Sequence, residues 1–286
     1  MISLMIYDFV PLINNERIAM EYSIGEVSNI LNLSKDMVRY YEKQGAIKAS
    51  RNPENNYRTY ETMEVFWLLE AVQHKSWGIP ISEIADVRKN RYDQNTDTFL
   101  SRKIGELKDE IAYKELLRGR LENIREQIPL SRINVGNFWV RRTPAAWSCH
   151  LVTGRGDQYD RISISAKESR VVFDEKNIPF FENGFIVYDD RVEWEMMIRK
   201  DFADALKITL PETFTFIPEA AALCTNVDIG EIGEFDPKVF EALPAYARSK
   251  GYSIRENEPM RGILLGRGYD DGRFHRIVRL NLPIQI

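Results

Sequence analysis

A short helix with a defined start and end is the feature of this sequence that most constrains its fold. Residues 34–45 begin with Ser34, a favourable N-cap, and continue with Asp36 in the first turn, where the helix dipole stabilises an anion. Gly45 supplies the left-handed backbone conformation that ends a helix. At helical spacing the apolar side chains share one inward face, which comprises Met37, Val38 and Tyr41. An exposed stripe of cations and one phenol remains, namely Lys35, Arg39, Tyr40 and Lys43.

A second helix precedes this one after a very short connection. Residues 23–26, Ser-Ile-Gly-Glu, form a capping box, in which the serine and glutamate side chains satisfy each other's backbone N–H groups. Apolar residues at helical spacing follow it, and only Asn32 and Leu33 separate the two helices. Two capped helices joined by so tight a turn indicate a helix-turn-helix.

The residues that follow predict a small basic hairpin, or wing. A Pro-Glu-Asn-Asn turn at 53–56 precedes residues 57–60, Tyr-Arg-Thr-Tyr, which alternate as a short strand does. From Lys35 to Tyr60 there are six Lys or Arg residues and three Asp or Glu residues, whereas the whole chain has a formal net charge of -4. Because the positive excess is local, we interpret it as an electrostatic footprint for nucleic acid.

Four motifs occur in this region in a fixed order. They are Arg39-Tyr40-Tyr41-Glu42 followed by Gly45, then Tyr57-Arg58-x-Tyr60, Trp77-Gly78 and Ile81-Ser82-Glu83-Ile84. In type, order and spacing they resemble the DNA-binding domain of MerR-type transcription regulators over residues 22–91. The resemblance implies that the chain binds double-stranded promoter DNA, with most contacts to phosphates and fewer to base edges. The residues that it places at the DNA are Ser34, Lys35, Arg39, Tyr40, Tyr57 and Arg58.

Residues 98–128 predict one long helix. Apolar residues recur there at spacings of three and four with charged residues between them, and Pro129 marks the predicted end. Two interpretations stay open, a helix packed on its own domain and a coiled-coil seam. The resemblance favours the second, because MerR-type regulators pair through an antiparallel coiled coil, and a homodimer doubles the DNA contacts of a small module. The seam comprises Leu100, Ile104, Leu107, Ile111, Leu117, Leu121, Ile124 and Ile128.

The remainder of the chain predicts an α+β domain that repeats itself. Residues 145–154 and 221–230 match in their paired alanines and final glycine, and each predicts a strand that is followed by a helix and two more strands. Asn183-Gly184 and Asp271-Gly272 predict tight turns. Two strand-helix-strand-strand units related by a pseudo-twofold axis are expected to form one sheet with a cleft between the halves.

This domain resembles, more weakly than the DNA-binding part, the gyrase-inhibitor-like effector domain of multidrug-sensing members of that family. The resemblance implies a small-molecule effector, and bulky rings with a few polar groups suit a cleft for a flat apolar ligand. Ordinary core packing is the alternative for each ring. The candidate effector-binding residues are Trp139, Trp147, Tyr188, Trp194, Glu258, Arg261 and Tyr269.

The charge of the effector stays open. Drug-sensing relatives pair cationic ligands with a buried carboxylate, but Met260 and Arg261 stand at that place here, with Glu258 slightly earlier. An anionic or neutral effector is therefore an alternative to a cationic one. Three other acidic candidates are interpreted as solvated strand residues, namely Glu193, Glu195 and Glu219.

Composition argues against several other classes of protein. The 286 residues suffice for two domains, and the two cysteines, Cys149 and Cys224, provide neither a disulfide framework nor a four-ligand zinc site. We expect no metal, no cofactor and no catalytic triad. No apolar run has the length of a membrane span and residues 1–19 lack a signal-peptide pattern, so a cytoplasmic protein without membrane contact is expected. Translation from Met20 is an alternative to translation from Met1.

The expected fold class is multidomain, with an all-α winged helix-turn-helix, a long dimerisation helix in an antiparallel coiled coil, and an α+β effector domain of duplicated β-α-β-β units. The expected boundaries are 1–20 for an N-terminal tail, 21–91 for the DNA-binding domain, 92–129 for the dimerisation helix and 130–286 for the effector domain.

The resemblance implies a homodimeric regulator rather than an enzyme. On binding a small aromatic or apolar effector it would distort the promoter, so that RNA polymerase engages the DNA and transcription is activated. The alternatives are a protein that hydrolyses or sequesters small molecules in the C-terminal cleft and a ligand-independent architectural protein.

Overall fold

A computed structural model of the chain describes residues 20–89, 92–270 and 272–285, without the side chains of residues 86–96. The chain forms two units, which divide between Asp109 and Glu110. The predicted N-terminal tail, apart from Met20, lies outside the described residues. The alternative start of translation at Met20 therefore stays a prediction.

The first unit packs helices around a small sheet. Its helices are α1 (Ile24–Ile30), α2 (Lys35–Lys43), α3 (Thr62–Ser76) and α4 (Ile81–Lys89), and α5 (Tyr92–Ile133) begins in it. Its strands β1 (Glu21–Ser23), β2 (Ser50–Arg51) and β3 (Arg58–Glu61) form an antiparallel sheet in the order β1-β3-β2. The pairing of β2 with β3 produces the predicted hairpin. The sheet also corrects the predicted fold class, because the unit is not all-α.

The local signals at the helix ends are confirmed. The Glu26 carboxylate accepts a hydrogen bond from the Ser23 N–H at 2.8 Å, which is one half of the predicted capping box. The Ser34 hydroxyl accepts a hydrogen bond from the Met37 N–H at 3.1 Å and begins α2. After α2, Gly45 adopts a φ of +81°, which only glycine adopts without strain. The position of α2 in the chain is thus set locally.

The core of the first unit forms where α1, α2 and α3 meet. Val38 and Tyr41 of α2 and Leu68 of α3 are at most 1% exposed, and Met37 packs against the edge of this cluster. The predicted inward face of α2 is therefore the buried one. Burial of each such side chain contributes on the order of 1.5–3 kcal/mol, so the opposite face of α2 is held in a defined orientation.

Helix α5 runs for 42 residues and spans the division between the units. The predicted helix end at Pro129 is wrong, because the helix continues to Ile133. A proline removes one N–H donor, but the turn after it keeps its pattern: the Asn134 N–H donates to the Leu130 carbonyl at 3.1 Å. The hydrogen bonds on either side of Pro129 thus keep the helix continuous.

The predicted seam on α5 divides into exposed members and three partly buried ones, Leu100, Leu117 and Ile124. Leu100 packs against the core of the first unit and Leu117 against a core of the second. The exposed members, at 45–57%, are Ile104, Leu107, Ile111, Leu121 and Ile128. Their spacings of 3, 4, 10 and 7 residues fit the a and d positions of a single heptad register.

The second unit is built on one curled antiparallel sheet. Its main strand order is β4-β10-β13-β12-β7-β8-β5-β6, with β11 paired to β13 and β9 paired to β5. The helices are α6 (Ala166–Val172), α7 (Lys200–Ala205) and α8 (Ala242–Ser249). The strands are β4 (Phe138–Thr143), β5 (Ala146–Arg155), β6 (Gln158–Tyr159), β7 (Phe181–Val187), β8 (Val192–Arg199), β9 (Thr215–Ile217), β10 (Ala220–Asp228), β11 (Ser253–Ile254), β12 (Arg261–Asp270) and β13 (Arg273–Gln285).

The strand order confirms the predicted repeat. The first half contributes β5, α6, β7 and β8, and the second contributes β10, α8, β12 and β13. In the sheet the halves lie in the orders β10-β13-β12 and β7-β8-β5. In the repeat β10 corresponds to β5, β13 to β8 and β12 to β7, so the second order is the reverse of the first about the β12–β7 pair. This central pair is antiparallel, with Arg261 opposite Ile186 and Ile263 opposite Gly184. An antiparallel pair has the local twofold symmetry that relates the two halves.

Glycines at this junction allow the strands to approach closely. The predicted tight turn at Asn183-Gly184 is wrong, because both residues lie inside β7. A Cβ on Gly184 would lie 1.9 Å from the Met197 sulfur, so a close approach, and not a turn, requires this glycine. Between β12 and β13, Gly272 has a φ of +81°, as a tight turn requires. Asp271 of that predicted turn lies outside the described residues.

Helices α6 and α8 cover one face of this sheet. Val172 of α6 packs in a cluster with Cys149 and Ile198, and Leu243 of α8 packs in a cluster with Leu223. Because side chains alternate along a strand, the intervening residues point to the other face. That face carries buried polar residues, namely Ser148, Glu195 and Asn281.

A buried ion pair joins the turn between β5 and β6 to β13. The Asp157 and Arg276 side chains are 7% and 10% exposed and form two parallel contacts of 2.5 and 2.8 Å. The N–H groups of Gly233 and Phe235 also donate to Asp157, at 2.6 and 3.2 Å. Burial acts to raise the pKa of Asp157, but Arg276 and these N–H groups outweigh it and lower the pKa to about 2.

Acid is therefore expected to weaken the second unit. The pKa of Asp157 is depressed in the folded state, so the stabilisation is complete above about pH 4 and is lost as the pH falls through about 2, a total of about 2 kcal/mol. Asp157→Asn should remove this pH dependence and lower the free energy of unfolding at pH 7, because Arg276 stays buried. Urea unfolding at several pH values measures both effects, with the exposed Asp160→Asn as control. An Asp157→Asn variant with the wild-type acid sensitivity would refute the assignment.

Candidate DNA interface and ligand cleft

The outer face of α2 and the β2–β3 hairpin carry the residues that the resemblance assigns to DNA. Tyr40 is 43% exposed and Tyr57 is 73% exposed. Lys35 is exposed in the first turn of α2, directly after Ser34. Ser34 is the N-cap, so the N–H groups at the start of α2, which favour a phosphate, lie beside the Lys35 position.

Two ion pairs orient the arginines of this face. Arg39 Nη1 lies 2.8 Å from an oxygen of Asp36, one turn earlier on α2. Arg58 Nε lies 3.3 Å from an oxygen of Glu42, near the end of α2. Both arginine side chains remain about half exposed, at 54% and 43%. Exposed pairs of this kind contribute ~0–1 kcal/mol, so a phosphate can replace either carboxylate at little cost.

Glu42 fastens the hairpin to α2. The Tyr60 hydroxyl donates to one Glu42 oxygen at 3.1 Å while Arg58 contacts the other. Burial, together with the neighbouring Glu42 carboxylate, raises the pKa of Tyr60 to about 12, so this hydroxyl stays a donor over the physiological range. The hairpin therefore has a defined position relative to α2.

Lys75 of α3 is a further cation at this face, and it is not among the predicted DNA-binding residues. Its ammonium lies 5.6 Å from the centre of the Tyr40 ring and 5.7 Å from that of Tyr41, which is cation–π geometry. No local motif marks this residue, because it lies more than thirty residues after Tyr40 and meets it only through the packing of α3 on α2.

The second unit contains a cleft of about 280 Å³ on the sheet face opposite α6 and α8. This volume is near the lower end of the range of about 300–1,000 Å³ that is usual for small-molecule sites. Both halves of the sheet line the cleft, as the predicted pseudo-twofold arrangement requires. The apolar wall comprises Phe216, Ile217 and Pro218, and α5 contributes Arg120, Asn123 and Gln127.

Most charged groups of the cleft are paired. The lining includes five arginines and two glutamates: Arg120, Arg141, Arg199, Arg261, Arg279, Glu182 and Glu258. Arg120 lies 2.6 Å from Glu182, and Glu258 lies 2.8 Å from Arg255. Two further arginines pair with carboxylates, Arg261 with Glu195 and Arg199 with Asp201.

Arg141 and Arg279 are the exceptions. Within the described part of the chain, neither has a carboxylate in ion-pairing distance. Arg279 Nη1 donates to Gln127 at 3.4 Å and its buried Nε has no partner among these residues, while Arg141 Nε donates to the Arg142 carbonyl at 3.4 Å. Burial, followed by the charge of Arg141, lowers the pKa of Arg279 to about 10. The cleft therefore holds two cations that no ion pair neutralises within the described part of the chain.

The environment of Glu195 differs from the prediction. Its predicted solvated position is wrong, because it is 6% exposed, accepts a hydrogen bond from the Ser148 hydroxyl at 3.1 Å and pairs with Arg261. Burial raises the pKa of Glu195 and Arg261 opposes this shift. Its alternation with Val192 and Trp194 is typical of a solvated strand face, so the local sequence carries no signal for this burial.

The predicted effector-binding residues do not all reach the cleft. Glu258 and Arg261 line it, whereas the five aromatic candidates do not. Trp194 lines a second, more open cavity of about 550 Å³ on the other face of the sheet. The other four lie elsewhere: Trp147 packs on Phe216 at 4.9 Å, Tyr188 donates to Glu193 at 3.2 Å, Tyr269 is 77% exposed, and Trp139 lies opposite Cys224.

Several kinds of chemistry find little support in the described residues. Cys149 and Cys224 are buried, and burial raises the pKa of their thiols to about 12 and about 11. They are therefore poor nucleophiles. No group of three or more His, Cys, Asp or Glu residues in the described ranges is arranged to hold a metal ion. None of the helices described is both long and apolar enough to span a membrane.

The match to a family model lies within the first unit. Residues 23–60 match the model of the MerR family of regulatory proteins. No curated protein matches the chain.

Solved structures resemble the chain only distantly. A MerR-family regulator from Bacillus cereus is 20% identical over 38% of this chain and 84% of its own, with a TM-score of 0.31. A cryo-EM structure of EcmrR with DNA is 15% identical over 92% of this chain and 99% of its own, with a TM-score of 0.34. A hydrolase from Listeria innocua is 12% identical over 56% and 98%, with a TM-score of 0.32. Likenesses this weak carry no function from those proteins to this chain.

The matched residues comprise α1, α2 and the hairpin described above. The amino-terminal unit of this chain carries the helix-turn-helix of the MerR family of transcription regulators.

Proposed function

We propose that the chain is a dimeric, ligand-responsive transcription regulator of the cytoplasm that binds promoter DNA. The observation that supports this most strongly is the presence of two half-exposed arginines, Arg39 and Arg58, that carboxylates of α2 orient on a MerR-family helix-turn-helix. A phosphate can take the place of each carboxylate without refolding of the unit.

The proposed docking places α2 in the major groove. Lys35 and the N-terminus of α2 contact phosphates, and Arg39 and Tyr40 lie along the exposed stripe of the helix. The hairpin lies on the backbone beside them, through Tyr57 and Arg58. Affinity is therefore expected to fall steeply with salt concentration.

The proposed dimer forms through α5. Five exposed apolar side chains at a and d positions of one register are more than a solvated helix face usually carries. A second copy in antiparallel orientation would cover them and would present two DNA-binding units to two half-sites.

Substitution of two seam residues tests this dimer. Ile111→Glu with Leu121→Glu is expected to give a folded monomer, because a dimer would bury two charges per chain without partners. Light scattering after gel filtration measures the mass, and binding to a promoter fragment should weaken by at least about 10-fold through loss of the second half-site. Ile133→Glu is the matched control, since Ile133 is 69% exposed on α5 outside the a and d positions. A double variant that stays dimeric would overturn this arrangement.

The proposed regulation joins the two units. An effector in the cleft would change the angle between the DNA-binding units of the dimer, and the distorted promoter would then be engaged by RNA polymerase and activated. Transcription in vitro from a promoter that the protein binds, with and without the effector, tests this step. A wild-type protein that is monomeric and ignores promoter fragments even at low salt would end the proposal. Turnover of a bound compound without DNA would favour the hydrolase alternative.

A further inference from the structure

The charges in the cleft indicate what kind of ligand it takes. Both glutamates of the lining already have a cationic partner, Arg120 for Glu182 and Arg255 for Glu258. Glu195, which lies beside the lining, is paired with Arg261. A cationic ligand would have to break one of these pairs. Breaking the pairs that are mostly buried is costly, because it leaves an uncompensated charge in a desolvated place.

The two unpaired arginines project from the same face of the sheet. Arg141 on β4 is opposite Ala222 on β10, which is in turn opposite Pro283 on β13. Arg279 lies four positions before Pro283 on β13, so it points to the same side. Ala220 and Ala222 stand between these two strands with small side chains, which leaves space above β10.

The position of Arg279 is unfavourable for the stability of the protein without a ligand. Its guanidinium is desolvated, one of its nitrogens lacks a partner among the described residues, and Arg141 repels it, as its lowered pKa reflects. A group that is unfavourable for stability but well placed in a cleft is a usual feature of a binding site. A planar oxyanion can accept paired hydrogen bonds from guanidinium groups and offset both charges.

We infer that the cleft binds a small organic anion, whose acidic group lies between Arg141 and Arg279 and whose apolar body lies against Phe216, Ile217 and Pro218. The inference rests on the proposed function in one respect, since it takes this cleft to be the effector site. It narrows the effector to one class, a flat apolar compound with a carboxylate or a similar oxyanion.

Three probes of equal size and different charge test the inference. They are 2-naphthoate, 2-naphthamide and 2-naphthamidine, which is a cation at pH 7, and calorimetric titration of the full chain measures their affinities. The carboxylate is expected to bind at least about 10-fold more tightly than the amide, because charged hydrogen bonds exceed neutral ones by that factor or more. Arg141→Gln and Arg279→Met should each reduce this preference by about 10-fold or more.

Arg142→Gln is the matched control. It removes the same charge one residue away on β4, where the Arg142 side chain is 77% exposed and pairs with Glu219. It should leave all three affinities within about twofold of wild type. Thermal melting adds a readout that does not depend on ligand: Arg279→Met should melt at a higher temperature than wild type, because it replaces an unpaired, desolvated charge by an apolar chain of similar length.

The outcomes separate this inference from the proposed function. Tighter binding of the amidine, equal binding of the three probes, or no binding of the carboxylate overturns the inference. Binding of promoter DNA by the same samples is measured in parallel. If DNA binding persists in those cases, the regulator proposal stands and only the ligand class is wrong. If the carboxylate binds but promoter DNA does not, the ligand class stands and the regulator proposal is wrong.

Discussion

Replacing Arg39 by alanine is expected to weaken binding to promoter DNA by about 30-fold, at unchanged thermal stability. Each half-site of a dimer loses one contact of roughly 1 kcal/mol, and two such losses correspond to this factor. If the contact is to a phosphate, the slope of log affinity against log salt should also fall by about 2, one for each copy. Fluorescence anisotropy with a labelled promoter fragment at several salt concentrations measures both.

A substitution of the carboxylate that pairs with Arg39 should change the DNA affinity in the opposite direction. Asp36→Asn removes the carboxylate 2.8 Å from Arg39, so it frees the guanidinium and removes a charge that repels phosphate. We expect tighter DNA binding by a few-fold. Arg142→Ala is the charge-matched control in the other unit and should leave DNA affinity unchanged. If Arg39→Ala and Asp36→Asn change the affinity in the same direction, or neither changes it, α2 does not face DNA in the proposed way.

Gly262→Ala is expected to lower the free energy of unfolding of the second unit by about 3 kcal/mol, or to prevent its folding. A Cβ at this position would lie 1.9 Å from Cζ of the Phe185 ring and 2.3 and 2.5 Å from its Cε atoms. The ring has little freedom to move, because Phe185 is 1% exposed and packs against Trp194 at 4.8 Å and Phe240 at 5.5 Å. Urea unfolding followed by tryptophan fluorescence measures the loss.

The same strand offers a control and a suppressor. At Gly268, also on β12, a Cβ would meet nothing within 4 Å, so Gly268→Ala should be close to neutral. Phe185→Leu alone should be destabilising, because it leaves a cavity, yet combined with Gly262→Ala the two losses should be less than additive. Strict additivity would show that the clash with this ring is not the cause.

Local signals in the sequence predicted the first unit well. The caps at Ser23 and Ser34 and the glycine stop at Gly45 depend on a few neighbouring residues, so they survive without knowledge of the rest of the fold. Local signals failed where pairing between distant strands overrides them. Asn183-Gly184 has the composition of a turn but lies inside β7, where the missing side chain of Gly184 leaves space for the Met197 sulfur of the adjacent strand.

The candidate ligand site was predictable only in outline. Repetition of the strand-helix-strand-strand pattern indicated a cleft between two halves, and two of the predicted effector-binding residues, Glu258 and Arg261, line that cleft. The aromatic candidates were selected for size, a property that serves core packing and ligand binding equally, and they lie outside this cleft. Glu195 was misjudged because one carboxylate in an alternating strand reads as solvated unless the partner strand is known.

The order of the main elements, the caps, the long helix α5 and the doubled second unit could be derived from residue order alone, because each is a short-range or periodic property of the chain. The pairing of the charges in the cleft could not be derived in this way. Arg261 and Glu195 are 66 residues apart in the chain, and Arg141 and Arg279 lie on strands that β10 separates in the sheet. Burial and Coulomb interactions depend on distances in space, so the unpaired positive charge of the cleft emerges only when the strands are placed side by side.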